Sequence, residues 1–269
     1  MAYIVGTTQF CGIDLIVSDQ VLIPRFETEM LVNEAIAKLS LRGTPRQSDT
    51  LVSSRPTWRD PFLNKTDKGS SRRPSGAPQD DDYIRAPRPF GTRDDKHENR
   101  FNILDVGTGS GAIAVALGNN IRQKKLDAKI IATDISATAL KIARRNIIAH
   151  NLSTIIRTQK SNLLSAVKRP GDLIIANLPY VPTKQCRNLK DPLLALDGGP
   201  DGIALIVKLL DQIHGRALIN RGGAIILEIG HNQGKKLESI AISLWPKAKI
   251  TTEKDLTGFD RMLTIDPRT

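Results

Sequence analysis

The chain has 269 residues, 40% of them apolar, and a formal net charge of +11. That allows one or two domains with an ordinary core, and it favours encounter with acidic partners such as RNA and ribosomes without making nucleic acid the substrate. Two distant cysteines (Cys11, Cys186), four scattered histidines, no apolar run of membrane-spanning length and a start unlike any export signal argue against a disulfide scaffold, a metal site, a spanning helix and secretion. The expected compartment is the cytoplasm.

Residues 1–24 alternate loosely and carry Gly6 and Gly12, as a hairpin does. From Glu27 to Leu39, apolar residues at Met30, Leu31, Ala35, Ile36 and Leu39 have helical spacing. Residues 1–41 therefore read as a hairpin and first helix. Residues 42–100 differ: seven of the fifteen prolines fall there, among many Ser, Asp and Arg residues. With so little apolar surface to offset chain entropy, the segment is expected to be a disordered insertion.

Residues 101–269 form the core, where strands and helices alternate. Strands are expected at 101–106, 129–133, 155–160, 172–176, 223–229, 248–254 and 261–266, and helices at 111–122, 136–150, 201–220 and 233–244. This order predicts an α/β fold with a mostly parallel seven-stranded sheet. The last two strands leave no room for a helix between them, so a turn around Leu256–Phe259 makes the last strand antiparallel.

Two loops carry chemistry. Asp105-Val106-Gly107-Thr108-Gly109-Ser110-Gly111 follows the first core strand, where glycines let backbone approach a ligand and the next helix offers free N–H groups. Its spacing is not that of a dinucleotide site. The next strand ends at Asp134, whose carboxylate can accept both hydroxyls of a ribose, although Asp134 could equally be a helix N-cap in competition with Ser136. After the third strand, Asn162 suits an adenine edge and Leu163 its ring. The second loop, Asn177-Leu178-Pro179-Tyr180, follows the buried-looking Leu173–Ala176. There an Asn oxygen and the next backbone carbonyl can hold the two hydrogens of a planar –NH2 group, with Tyr180 covering its face. A nucleoside site beside an amine or amide site suggests methyl transfer to nitrogen.

These motifs resemble the HemK/PrmC family, S-adenosylmethionine-dependent enzymes that methylate the N5 amide of a glutamine in peptide chain release factors. Leu22-Ile23-Pro24-Arg25-Phe26-Glu27-Thr28-Glu29 is similar to the family's LIPRPETE segment, Asn177–Tyr180 to its NPPY motif, and Ala195-Leu196-Asp197-Gly198-Gly199-Pro200-Asp201-Gly202 to its AL-x-GG-x-DG segment. Ile103–Ile113, Glu228–Gln233 and Asp255–Arg261 resemble three further motifs. The resemblance implies a Rossmann-like methyltransferase fold and S-adenosylmethionine as cofactor. Gly107, Thr108, Gly109, Ser110, Gly111, Asp134, Asn162, Leu163 and Asn177 would hold it, with Glu27 and Thr28 near its methionine end. Asn177, Leu178, Pro179 and Tyr180 would hold the glutamine of a Gly-Gly-Gln motif and form the catalytic turn.

The chain departs from the family pattern in four places. It begins where the family's N-terminal helical domain ends, Leu178 stands for a proline, Asn162 stands for an aspartate, and the insertion replaces a short link. Other readings of the same chemistry are a ribosomal-protein glutamine or adenine N6 as target. A further one is a cofactor-binding homologue without turnover. An adenine target would need extra surface for base flipping, which the chain after the core does not supply.

Overall fold

A computed structural model describes residues 5–42, 100–188 and 191–268. Apart from Arg42 and Arg100, the expected insertion lies outside the described residues. The expected hairpin is formed by β1 (Thr7–Phe10) and β2 (Ile13–Ile16). Its two-residue turn, Cys11-Gly12, has positive φ at both positions (49° and 71°), the twist that a tight antiparallel hairpin needs. Helix α1 follows at Thr28–Arg42.

The core is a seven-stranded sheet of order β5-β4-β3-β6-β7-β9-β8. Its strands are β3 (Phe101–Val106), β4 (Ala128–Asp134), β5 (Ile156–Lys160), β6 (Gly171–Ala176), β7 (Ile219–Glu228), β8 (Lys249–Lys254) and β9 (Asp260–Asp266). Strands β5 to β7 are parallel, and β9 runs antiparallel between β7 and β8. The helices are α2 (Ala112–Gln123), α3 (Ala137–Ala149), α4 (Ala204–Gly215) and α5 (Gly234–Leu244). Among the described residues no helix is long and apolar enough to cross a membrane.

Period-two alternation sorts the strands' side chains between the two faces, even where both are buried. Ile103, Leu173, Ile175, Ala224 and Ile226 pack with α1 and α2; Leu104, Ile174, Ala176, Ile225 and Leu227 pack with α4 and α5. Both layers exclude water, so the loops at the carboxyl ends of the strands sit on a rigid edge.

One expected element is shorter than its pattern suggested. The helix expected at 201–220 spans Ala204–Gly215. It ends where Ala217 takes a left-handed φ of 48° and the Leu218 and Ala217 N–H groups return to the Ile213 and His214 carbonyls, a terminus usually marked by glycine. Strand β7 accordingly begins earlier than expected, at Ile219.

Asn146 of α3 joins the hairpin to the core. Its side chain is fully buried, accepts from Ile16 N (2.8 Å) and donates to Ile16 O (2.9 Å), as a neighbouring strand would. It also donates to Ser110 O (2.8 Å), so the hairpin and the glycine loop share one anchor. Asn146→Ala should lower unfolding free energy by about 2–4 kcal/mol, because buried backbone groups lose their partners. Urea titration checks this, and an unchanged midpoint would show that the anchor carries no stability.

Candidate functional site

The carboxyl ends of four adjacent strands present the candidate residues in spatial order: Asn162 after β5, Asp134 at the end of β4, the glycine loop after β3 and Asn177 after β6. Three strand spacings separate the first from the last, about 14 Å. The connections from β3 and β6 lead away on opposite sides, which opens a crevice between them. Within it lies a cleft of about 200 Å³. Gly107, Thr108, Gly109, Ser110, Asp134, Asn162, Leu163, Thr28, Asn177, Leu178 and Pro179 all line it.

Hydrogen bonds shape the glycine loop from behind. The Gly107 and Thr108 N–H groups donate to Thr133 O, the Thr108 hydroxyl donates to Asp105 Oδ2 (2.6 Å), and Gly109 N–H donates to Asp134 Oδ2 (2.9 Å). Gly109 has φ 56°, and the direction a side chain would take is empty, so this part of the wall leaves room for a ligand. Gly111 does not line the cleft. A Cβ there would stand 3.1 Å from the Ala143 methyl, so its role is close packing of α2 on α3.

Asp134 is not the cap of α3; Ser136 is, accepting from Ala139 N (3.2 Å). Asp134 Oδ1 accepts the Ser136 N–H (2.8 Å). A carboxylate has about four lone-pair sites, so capacity for hydroxyl donors remains. Burial raises its pKa, against the N–H groups of Ser136 and Gly109. Leu163 holds a left-handed φ of 54°, a strained conformation that turns the loop into the cleft. Gln212 and Arg216 of the α4 end fix this loop: Leu164 N–H donates to Gln212 Oε1 (2.8 Å), and Arg216 donates to Leu164 O and Val167 O (2.7 and 2.6 Å). The arrangement fits a nucleoside with a short polar tail: ribose acceptors at Asp134, a side-chain amide and a leucine for a base beyond it, and an open backbone loop toward Asn177.

A second cavity, of only about 10 Å³, adjoins the Asn177 turn, lined by Leu22, Arg25, Asn177, Leu178, Tyr180, Val181, Ala195 and Leu196. Asn177 and Leu178 line both cavities and form part of the wall where two ligands could meet. Asn177 Nδ2 donates to Thr28 Oγ1 (2.9 Å), the Thr28 hydroxyl donates to Glu228 Oε2 (2.7 Å), and the Tyr180 hydroxyl donates to Glu228 Oε1 (3.0 Å). Glu228 is 1% exposed. Burial raises its pKa, opposed by the Thr28 and Tyr180 hydroxyls and the Arg25 charge and reinforced by Glu27. Burial likewise raises the Tyr180 pKa, the Glu228 charge adding to it. Tyr180 is thus turned toward Glu228 and lines the smaller cavity only, while Glu27 lines neither. No role was read for Glu228 from sequence; its signal is a single carboxylate closing the apolar run Ala224–Leu227.

A second backbone layer supports the turn. Val181 N–H donates to Leu196 O, Gly198 N–H to Val181 O, and Gln233 Nε2 to Tyr180 O (2.8 Å). A Cβ at Gly198 would lie 2.6 Å from Pro179 O, and one at Gly202 would overlap Tyr180 O. The glycines of the 195–202 segment are needed for this close approach.

A model of the methyltransferase small domain family matches residues 94–193. The release factor glutamine methyltransferase of Agrobacterium fabrum is 31% identical over 270 residues, covering 97% of this chain and 72% of that one. The bifunctional methyltransferase of Rickettsia felis is 29% identical over 274 residues, covering 99% of this chain but 45% of that protein, so the chain spans less than half of that relative's length. A solved structure described as the delta-N METTL16 MTase domain has a TM-score of 0.55 at 15% identity, covering 95% of this chain and 89% of that one, a likeness of fold.

Two expectations test this geometry. Gly202→Ala, at φ 79° against the Tyr180 carbonyl, should cost about 2 kcal/mol or more in urea unfolding; full stability would mean that the two backbone layers are not in contact. Burial raises the Asp105 carboxyl to about 7, with the Thr108 hydroxyl opposing and the Asp134 charge adding. Folded protein then keeps a proton that the unfolded chain releases at about pH 4, so stability falls as pH rises from there to about 7. Asp105→Asn removes that loss. Its stability relative to the unaltered protein should climb across this window, and parallel curves would show that Asp105 titrates normally.

Proposed function

The chain belongs to the release factor glutamine methyltransferase family, a family of S-adenosylmethionine-dependent methyltransferases, and on that footing we propose that it methylates the N5 amide nitrogen of the glutamine in the Gly-Gly-Gln motif of peptide chain release factors, in the cytoplasm. S-adenosylmethionine supplies a methyl group made electrophilic by its sulfonium. In this reading Asp134 accepts ribose hydroxyls, Asn162 and Leu163 take the base, and Gly107–Ser110 with Thr28 border the rest of the cofactor in the larger cleft. The glutamine side chain is held at the Asn177 turn.

The observation that carries the reading is the Asn177 amide. Its nitrogen is engaged by Thr28, which leaves its oxygen for a ligand at the wall shared by the two cavities. A primary amide offers two N–H donors, and the Asn177 oxygen and the Leu178 carbonyl are two acceptors in consecutive residues. A glutamine nitrogen is a poor nucleophile because its lone pair is delocalised into the carbonyl. Holding both hydrogens orients the nitrogen toward the cofactor side. Such alignment lowers a barrier by up to about 7–11 kcal/mol. The same acceptors stabilise the positive charge that grows on nitrogen, whose proton then leaves to water.

Purified release factor and labelled S-adenosylmethionine test this directly. Label should appear on the Gly-Gly-Gln glutamine, and Asn177→Ala should lower turnover about 100-fold or more while still binding cofactor. Equal turnover in the variant would remove Asn177 from the mechanism. An unlabelled release factor, with cofactor bound, would send the search to another substrate.

A further inference from the structure

Glu228 closes β7, is buried, and lines neither of the two cavities. It nevertheless ends a chain of hydrogen bonds that begins at the cleft wall: Asn177 Nδ2 to Thr28 Oγ1, and Thr28 hydroxyl to Glu228 Oε2. The direction of that chain follows from Glu228 accepting at both oxygens, from Thr28 and from Tyr180. A carboxylate accepts and cannot donate. The single Thr28 proton must therefore point at Glu228, and only lone pairs of Thr28 Oγ1 remain for Asn177. An amide facing a lone pair turns its NH2 toward it, which sets its oxygen toward the cavities.

Reversing the direction shows what the charge accomplishes. A glutamine at position 228 has a single oxygen, and when that oxygen accepts from Tyr180 its NH2 faces Thr28 and donates to it. The Thr28 proton is then free to point at Asn177, whose amide satisfies it by rotating half a turn. Its NH2 would then face the incoming amine, donor against donor. The two arrangements of Asn177 have the same shape and differ only in polarity, so packing alone does not choose between them.

We propose that Glu228 is a positioning residue for methyl transfer: acting through Thr28, it holds the Asn177 side-chain amide with its oxygen toward the incoming –NH2 group. The proposal rests on the proposed role of Asn177 as an acceptor for that group. The Tyr180 hydroxyl occupies the other carboxylate oxygen.

The test is a double-mutant cycle in the full chain, read as kcat on a release factor with cofactor Kd alongside. Glu228→Gln and Thr28→Val should each lower kcat about tenfold or more, and in Glu228→Gln, whose side chain does not line the cleft, cofactor Kd should change less than about threefold. Thr28→Ser, which keeps the hydroxyl, should restore most of the rate. The Glu228→Gln/Thr28→Val double variant should be no slower than Thr28→Val alone. Losses that multiply in the double variant, or full kcat in Glu228→Gln, would overturn the proposal. A structural defect would instead appear as weakened cofactor binding that Thr28→Ser shares.

If the unaltered protein methylates no release factor, the substrate assignment has failed, and the relay is read without turnover. The side-chain NH2 resonance of Asn177, assigned by its loss in Asn177→Asp, should be protected from exchange in the unaltered protein and unprotected in Thr28→Val and Glu228→Gln. An unprotected NH2 in the unaltered protein would overturn the relay.

Discussion

A carboxylate withdrawn from water at the end of the apolar run Ala224–Leu227 is costly unless donors meet it. Glu228 finds two, Thr28 at the start of α1 and Tyr180 in the turn after β6, residues that are 200 and 48 positions away in sequence. Satisfying one buried charge therefore ties together three parts of the fold. The N-terminal segment, which pairs with no strand of the large sheet, is held against the β6 turn. Asn177 is reached from the same hydroxyl. The cost of the buried charge is thus offset by contacts that also settle the geometry of the turn.

That turn is held from its other side by backbone. The segment from Leu196 to Gly202 lies against Pro179 and Tyr180 so closely that side chains at 198 and 202 have no room, and Gln233 caps the Tyr180 carbonyl. Side-chain polarity thus acts on one side of the turn and steric contact on the other. The glycine loop after β3 is held similarly, by Thr133 O, Asp105 and Asp134, with its open side toward the cleft. In the proposed reading both reactants meet walls whose positions are settled before binding, which is what an alignment mechanism requires.

Much of this architecture was legible because its signals are local. The runs Ile103–Val106, Ala128–Asp134 and Leu173–Ala176 announce buried parallel strands, and the connection at 255–259 is too short for anything but an antiparallel return. Asp134 ends a strand, and Asn162 and Asn177 follow one within two residues, so placing the strands placed them. The end of α4 was misread because Ala217 does the work usually given to glycine. The function of the 195–202 glycines is a contact with a turn that precedes them by about twenty residues, and glycine content alone does not name the surface it accommodates. Glu228 opens a segment that resembles a family motif, but its role was hidden for the same reason: a Glu at a strand end looks solvated until its two donors are brought to it.

Leu178 shows how a departure from a family pattern can be absorbed. Proline would stiffen the turn through its ring. Leucine has the same carbonyl but a freer backbone, and here its side chain is 4% exposed and points inward, so that a Cβ at Gly107 would fall 2.8 Å from Leu178 Cδ2. Packing on the glycine loop restrains the residue in place of the ring. The restraint is also of a different kind, because a ring acts within its own residue whereas this contact joins the turn after β6 to the loop after β3. Any shift of one loop is felt by the other through this packed side chain. In the proposed reading these are the loops that hold the two reactants, so the substitution that seems to loosen the amide site at the level of sequence ties it to the cofactor site at the level of packing.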